Sequence, residues 1–186
     1  MSMATQVPRY TAVEVRAFPD DRVRYEVIRG ELFVTPAPRT RHQRAVREFL
    51  MRLHDYVTTH NLGEALPAPF EVEFAADSAV QPDVLVLLRH DRPRLTDERF
   101  YGPPTLVVEI VSHSSRRTDR LQKRELYQDF GVPEYWIVDI DQQRIERWQR
   151  GSTAPGIVTD TLVWQPDAAV APLEIDLPAI FKTVNR

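Results

Sequence analysis

The stretches Pro82-Asp83-Val84-Leu85-Val86-Leu87-Leu88 and Leu106-Val107-Val108-Glu109-Ile110-Val111 decide the fold that the sequence predicts. Each is a short, nearly continuous apolar run, which is typical of a central β-strand covered on both faces. Each also contains one acid, Asp83 in the first run and Glu109 in the second. An isolated charge in such a strand is costly unless it is paired, protonated or bound to a metal. Because two acids on neighbouring strands repel each other, a divalent cation is the simplest remedy.

A third ionisable residue lies on the helix predicted after the second strand. Residues 118–130 carry an apolar stripe of Leu126, Tyr127 and Phe130. Lys123 lies on the same stripe, so its ammonium group is predicted to point at the sheet. Two inward acids and one inward lysine favour a metal-assisted hydrolytic site, because perturbed charges that converge in one place mark functional sites more often than structural ones. A structural ion pair between Glu109 and Lys123 is the alternative that these residues leave open.

The composition indicates one globular domain over residues 1–186. The 186-residue chain is 42% hydrophobic, which is enough for one sizeable core. The lack of cysteine excludes a disulfide framework and a thiolate metal site. No apolar stretch reaches the ~20 residues of a transmembrane helix, and residues 1–10 lack the apolar segment of a signal peptide. We therefore expect a cytoplasmic protein with no membrane partner.

The charge distribution gives a mixed indication about nucleic acid. The net charge is −3 at pH 7, so no overall positive field attracts a polyanion. Arginines nevertheless cluster at residues 39–47, near a helix start, and at residues 116–124, beside the proposed site. Such clusters are more often solvated faces, but the second one sits where a phosphate backbone would have to pass.

Periodicity predicts the order of the elements. Residues 24–35 indicate a β-hairpin that turns at Arg29-Gly30. Its candidate inward side chains are Tyr25, Val27, Leu32 and Val34. Thr40 and Gln43 have the spacing of a capping box, which predicts a helix start at Thr40. Strands are expected in the two quoted runs and at residues 70–74, 135–140 and 144–149, with shorter ones in the C-terminal third. This order predicts an α/β fold, a mixed β-sheet flanked by helices.

Several motifs follow one another in a specific order. They are Tyr25-Glu26 with Gly30-Glu31-Leu32, His42 at a helix start, Gln81-Pro82-Asp83, Val108-Glu109-Ile110-Val111-Ser112, Asp119 with Lys123 and Tyr127, and Gly131-Val132-Pro133-Glu134-Tyr135-Trp136-Ile137-Val138-Asp139. In this order they resemble the Uma family of restriction endonuclease-like proteins, within the PD-(D/E)xK nuclease superfamily. The resemblance implies a restriction-endonuclease-like core at about residues 24–150. It also implies Mg²⁺-dependent hydrolysis of phosphodiester bonds in DNA, with Mn²⁺ as a substitute, and a homodimer.

One position departs from the superfamily pattern. The lysine expected two residues after the second acid would be residue 111, which is Val111 here. The Uma family resembles other members in which the lysine has moved to the next helix, and Lys123 is the matching position. The inward direction of Lys123 that periodicity predicts agrees with this assignment.

The resemblance implies that Asp83, Glu109 and Lys123 are the catalytic residues. Asp83 and Glu109 would supply carboxylate ligands to Mg²⁺, and the backbone carbonyl of Ile110 would add a third ligand. The cation would neutralise charge on the transition state and acidify the attacking water. Lys123 would orient that water, help to deprotonate it or stabilise developing charge.

Three further residues are candidates for a supporting role. Glu31, after the hairpin glycine, would complete the metal ligands; a surface hairpin glutamate is the alternative. His42 lies on the inward stripe of its helix, where a hydrogen-bonded histidine at the core edge is the alternative. Asp119 stands one turn before Lys123 and would steer its ammonium group, or else complement the helix dipole.

Two other functions stay open at this point. One is a non-catalytic nucleic-acid-binding or assembly module on the same fold, and the other is a metal-dependent hydrolase of a different phosphate ester. The endonuclease is favoured because all three ionisable positions are present and predicted to be inward. A nuclease that cuts both strands of a duplex needs two active sites, which a twofold dimer supplies. Trp164, in the apolar C-terminal third, is the candidate interface residue.

Overall fold

The computed structural model describes residues 9–19, 23–111 and 118–186, with the side chains of residues 118–120 outside the described part. Its first elements are α1 (Ala12–Arg16), β1 (Arg24–Ile28), β2 (Glu31–Thr35), α2 (Thr40–Thr59), β3 (Gly63–Pro67), β4 (Glu71–Ala75), β5 (Ser78–Val80), β6 (Val84–Leu88), a 3₁₀-helix (Arg89–Arg94) and β7 (Arg99–Tyr101). There follow β8 (Leu106–Val111), a π-helical segment (Thr118–Lys123), α3 (Arg124–Asp129), β9 (Glu134–Asp139), β10 (Arg144–Gln149), β11 (Gly156–Val158), β12 (Thr161–Trp164), β13 (Leu173–Asp176) and α4 (Leu177–Val184). This is the predicted α/β fold, with mixed sheets flanked by helices.

The two apolar runs lie at the centre of a six-stranded sheet with the order β11-β10-β9-β8-β6-β3. Strand β8 pairs in parallel with β9 and antiparallel with β6. Every residue of β8 and of β9 is buried, because both faces of this sheet are covered. The register Val84↔Val108, continued by one residue, sets Asp83 opposite Glu109. Asp83, the residue before β6, therefore lies opposite Glu109 of the neighbouring strand β8, which agrees with the adjacency that the sequence predicts.

The long helix α2 and the C-terminal helix α4 cover one face of this sheet. Phe49 and Leu53 of α2 are fully buried in the core cluster that also holds Val108. The helix begins at Thr40 as predicted, but no side chain caps it, since Arg39 occupies the N-cap position. The predicted capping box is therefore wrong: Thr40 is already helical, and a capping hydroxyl needs the extended backbone of the N-cap.

A second sheet and α3 cover the other face. This five-stranded sheet has the order β2-β1-β5-β4-β7. Only one sheet is predictable from the sequence, because β5 and β7 are three residues long and carry no readable alternation. Between the two layers lies a core cluster with Leu85, Val107, Leu126 and Tyr127. None of the helices in the described ranges is both long and apolar enough to cross a bilayer.

The hairpin β1–β2 turns at Arg29 and Gly30, as predicted, with positive φ angles of 52° and 81°. Val27 is fully buried, but Val34 is 53% exposed, so the prediction of an inward Val34 is wrong. Val34 lies on β2, which is an edge strand of the second sheet. In the structure Val27 packs on the cluster around α1, while Glu26 is buried on the opposite side of the strand.

Trp164 belongs to the core. It is 2% exposed, and its ring lies against those of Tyr56 and Trp136, with centroid separations of 5.8 and 6.0 Å. The prediction of Trp164 as an interface residue is therefore wrong, because almost none of its surface is accessible to a second copy of the chain. Dimerisation itself stays a prediction.

Gly63 gives a test of the contact between β3 and β6. A Cβ atom at this position would lie 1.9 Å from the backbone oxygen of Leu87 and 2.7 Å from Cα of Leu88. Because these are backbone atoms of the central sheet, they cannot turn away. We expect Gly63→Ala to lower the free energy of unfolding by about 2–3 kcal/mol, as overpacked substitutions do. Urea denaturation followed by circular dichroism measures the change.

Gly156→Ala is the matched control, because Gly156 also lies in a strand but its added Cβ would find its nearest atom at 3.9 Å. We expect this control to change the free energy of unfolding by no more than about 0.5 kcal/mol. Equal stabilities for the two variants would mean that β3 does not approach β6 as closely as described.

Candidate active site

Lys123 is a buried cation shared by two acids. It is 3% exposed and ends the π-helical segment that leads into α3. Its Nζ lies 2.9 Å from Oε1 of Glu109 and 3.0 Å from Oε1 of Glu26. The inward direction predicted from helical spacing is therefore confirmed. The side chain joins β8 of the central sheet to β1 of the second sheet.

The same oxygen of Glu109 accepts a second hydrogen bond. The hydroxyl of Tyr127, one turn after Lys123, donates to Oε1 of Glu109 over 2.8 Å. Burial and the neighbouring carboxylate of Glu109 raise the pKa of Tyr127 well above its usual value. The hydroxyl therefore stays protonated at neutral pH and serves as a donor. Two consecutive turns of the helix thus hold one carboxylate oxygen.

Asp83 is also buried, and both of its oxygens accept hydrogen bonds. Oδ1 accepts from two terminal nitrogens of Arg24, each at 3.2 Å. Oδ2 accepts from the backbone amide of Ile110 at 2.8 Å and lies 3.0 Å from Nε2 of His42. Burial alone would raise the pKa of Asp83, but the hydrogen bond and charge of His42, the charge of Arg24 and the Ile110 amide together lower it to about 2. Asp83 is therefore a carboxylate at neutral pH.

The backbone at Ile110 connects the two acids. Ile110 follows Glu109 in β8, and its amide is bonded to Asp83. The carboxylates of Asp83 and Glu109 are consequently attached to the same short section of two paired central strands. His42 contacts Asp83 from α2, and its supporting role stays a prediction, because a hydrogen-bonded histidine at the core edge would make the same contact.

Two residues of this cluster, Arg24 and Glu26, are not among those predicted from the sequence. They alternate on β1 and so share one face of the strand. Burial would lower the pKa of Arg24, but the charges of Asp83, Glu26 and Glu109 raise it, so the guanidinium is a permanent cation. Glu26 accepts a hydrogen bond from the backbone amide of Gln81 at 2.7 Å and also pairs with Lys123. The available signal was two ionisable residues alternating with the apolar positions of the hairpin.

The other two predicted supporting residues are Glu31 and Asp119, and the structure describes no contact between either of them and Asp83 or Glu109. Glu31 is exposed, and its hydrogen bond is with Nε2 of Gln122 at 3.3 Å. The side chain of Asp119 lies outside the described residues, so its predicted contact with Lys123 stays a prediction.

The donor set fits a hard divalent cation with few protein ligands. Within the described ranges no three His, Cys, Asp or Glu side chains are grouped so that they would enclose a metal. Mg²⁺, however, keeps several of its waters and is usually held by one or two carboxylates. Asp83, just before β6, and Glu109 of β8 are two buried carboxylates, and the amide of Ile110, the residue after Glu109, is bonded to Asp83.

Comparison with known proteins places the chain in a family. The profile of the Uma2 family, described as "Putative restriction endonuclease", matches residues 10–178. A solved structure, that of a "putative nuclease belonging to DUF820" from Anabaena variabilis, has a TM-score of 0.80 at 18% identity. This match covers 94% of the present chain and 99% of the other, which shows a shared fold. No curated protein matches the sequence. Because the family match extends over most of its length, the chain belongs to the Uma2 family.

Proposed function

We propose that the protein is a Mg²⁺-dependent endonuclease that hydrolyses phosphodiester bonds in DNA. The observation that carries the proposal is the buried contact of Lys123 with Glu109, whose strand neighbour is Asp83. A lysine and two acids in this relation are the residues that metal-assisted hydrolysis of a phosphate ester needs. Membership of a family of restriction-endonuclease-like proteins supports the same class of reaction.

Asp83 and Glu109 would hold the cation, and the backbone carbonyl of Ile110 would add a third oxygen ligand. When bound, Mg²⁺ supplies Lewis-acid chemistry, because it neutralises charge on the phosphodiester and acidifies the attacking water. Mn²⁺ is expected to substitute, since it also accepts carboxylate oxygens.

Lys123 would act on the water or on the phosphate. Its charge-assisted hydrogen bonds to Glu109 and Glu26 fix the direction of Nζ. From this position Nζ would donate to the attacking water or to an oxygen on which charge develops in the transition state. Tyr127 donates to the same oxygen of Glu109 from the next turn and so helps to hold the acid beside the lysine.

A non-catalytic nucleic-acid-binding or assembly module is the second candidate, and one observation favours it. Both oxygens of Asp83 already have protein donors, namely Arg24, His42 and the amide of Ile110. A buried carboxylate with such partners is stable without a metal. In that case the cluster would serve the fold alone, and no metal would compete for Asp83.

Substitution of Lys123 separates the two candidates. The sequence has only two lysines, so Lys182, exposed on α4, is a matched control. We expect Lys123→Met to slow Mg²⁺-dependent nicking of supercoiled plasmid by a factor of about 100–1,000, the usual cost of a lost transition-state contact. Lys182→Met should nick at the wild-type rate.

The stability of Lys123→Met gives a second readout. Without metal, the variant leaves Glu26 and Glu109 as facing buried acids, which should cost about 3–5 kcal/mol of unfolding free energy. Mg²⁺ should restore part of this loss if it binds at Glu109. Two results together would favour the non-catalytic module. Mg²⁺ would fail to stabilise Lys123→Met, and the wild type would fail to nick DNA.

Metal binding at Asp83 is tested by thermal denaturation with and without Mn²⁺. At a concentration 100 times the dissociation constant, a bound ion stabilises the folded state by about 2.7 kcal/mol. We expect Mn²⁺ to raise the Tm of the wild type and not that of Asp83→Asn. Asp91→Asn is the control, because Asp91 is a buried acid bonded to Thr105 and the Leu88 amide, outside this cluster. A wild-type Tm that Mn²⁺ leaves unchanged would count against the metal site.

We further propose that the protein acts as a homodimer, because cleavage of both strands of a duplex needs two active sites related by a twofold axis. Light scattering at tens of micromolar should then give a mass of twice the 21.6 kDa of one chain. A monomer mass under these conditions would contradict the dimer and leave the assignment of the active-site residues unaffected.

A further inference from the structure

A cleft opens beside Asp83. It has a volume of about 290 Å³ and lies between the start of β1, the chain after β2, the first turns of α2 and the segment before β6. Its polar lining residues are Arg24, Thr35, His42, Gln43, Gln81 and Asp83. Exposed residues 36–38 form part of its edge, so it is open to solvent. The volume is at the lower limit of ligand pockets, which suits one phosphodiester group better than a whole base pair.

Arg24 is the permanent cation in this cleft, and its contact with Asp83 is weaker than an arginine–carboxylate pair can be. Both terminal nitrogens converge on the single oxygen Oδ1, each at 3.2 Å. The strong arrangement has two parallel bonds to two different oxygens at about 2.7–2.9 Å. A tetrahedral phosphate group offers two such oxygens to the planar guanidinium.

The two oxygens of Asp83 are held in different ways. Oδ2 is fixed by the Ile110 amide and His42, whereas Oδ1 has Arg24 as its protein partner. If Arg24 turns away, Oδ1 becomes available to a cation while Oδ2 keeps the carboxylate in place. One terminal nitrogen of Arg24 also donates to the carbonyl of Gln81 at 2.8 Å. This bond would keep the guanidinium in the cleft when its contact with Oδ1 is lost.

We propose that Arg24 binds the phosphodiester group of the substrate in this cleft, by exchanging its contact with Oδ1 of Asp83 for two oxygens of the phosphate when a cation takes Oδ1. This inference rests on the proposed function, because it assumes a cation at Asp83 and a nucleic acid as substrate. The exchange keeps the charges paired throughout, carboxylate with cation and guanidinium with phosphate. Gln43, exposed at the edge of the cleft, would add a neutral donor.

The exchange predicts that Arg24 contributes to binding of DNA only when a cation is present. Affinity for a 20-base-pair duplex is measured by fluorescence anisotropy over a range of salt concentrations, in Ca²⁺ and in EDTA. Ca²⁺ accepts carboxylate oxygens with looser geometry than Mg²⁺, and gel electrophoresis verifies that the duplex stays intact. The variants are Arg24→Gln, Arg24→Lys and the control Arg41→Gln. Arg41 also lies at the start of α2 but is exposed and bonded to Asn185, outside the cleft.

In Ca²⁺, Arg24→Gln should reduce the slope of log affinity against log salt by about 0.9, which corresponds to one lost phosphate contact. In EDTA its slope should equal that of the wild type. Arg24→Lys keeps the charge and loses the paired donors, so its slope should stay while its affinity in Ca²⁺ falls about tenfold. For Arg41→Gln, the change in slope relative to the wild type should be the same in Ca²⁺ and in EDTA. If Arg24→Gln does not fold, Arg24→Lys decides, and an unchanged affinity in Ca²⁺ overturns the proposal.

Failure of this proposal can be distinguished from failure of the proposed nuclease. A wild type that nicks plasmid, with Arg24 variants that bind duplex as it does in Ca²⁺, overturns the phosphate site alone. Equal losses for Arg24→Gln in Ca²⁺ and EDTA also overturn the exchange, because they would reflect a structural role or unspecific charge. The phosphate site is overturned if the wild type binds neither the duplex nor a single strand of the same sequence. If the wild type also fails to bind Mn²⁺, the proposed nuclease is overturned as well.

Discussion

The central constraint of the structure is the burial of Glu109 in β8, a strand with no exposed residue. A carboxylate in such a place needs a cationic partner, and Lys123 reaches it only if the helix after β8 folds back onto the sheet. Lys123 in turn contacts Glu26, which fixes the hairpin of the second sheet against the same point. The two sheets and the helix are thus joined by one charge network as well as by apolar packing, and this network is the candidate active site.

Asp83 imposes a second constraint, which shapes the surface next to the network. Its carboxylate requires donors, and they come from three separate elements: Arg24 of the hairpin, His42 of α2 and the amide of Ile110 in β8. The hairpin and α2 both contact this one carboxylate, and a cleft lies between them beside it. The same ionised group therefore belongs to the buried network and borders a cleft open to solvent, which is the position that a metal-binding acid needs.

The sequence predicted the parts of this arrangement that depend on local periodicity. The apolar runs around Asp83 and Glu109 predicted central strands, and helical spacing predicted an inward Lys123, since both patterns are properties of single elements. Arg24 and Glu26 were missed because their burial depends on a second sheet packing over the hairpin, and strands as short as β5 and β7 leave no pattern that would reveal it. Trp164 was misplaced for the same kind of reason: its environment is formed by α2 and β9, which are distant in the sequence.

The donors around Asp83 let the cluster form without a metal and also determine how a metal would enter. In the proposed exchange, a cation held by Asp83 would take the place of the guanidinium of Arg24 at Oδ1. An arginine left unpaired beside the site would oppose the binding of the ion. A phosphate group in the cleft removes that opposition, because it gives Arg24 a better partner than the single oxygen it leaves. Cation and nucleic acid should therefore favour each other's binding, and by linkage the effect must be equal in both directions. Under this proposal Arg24 would stabilise the metal-free site and would also couple assembly of the active site to arrival of the substrate.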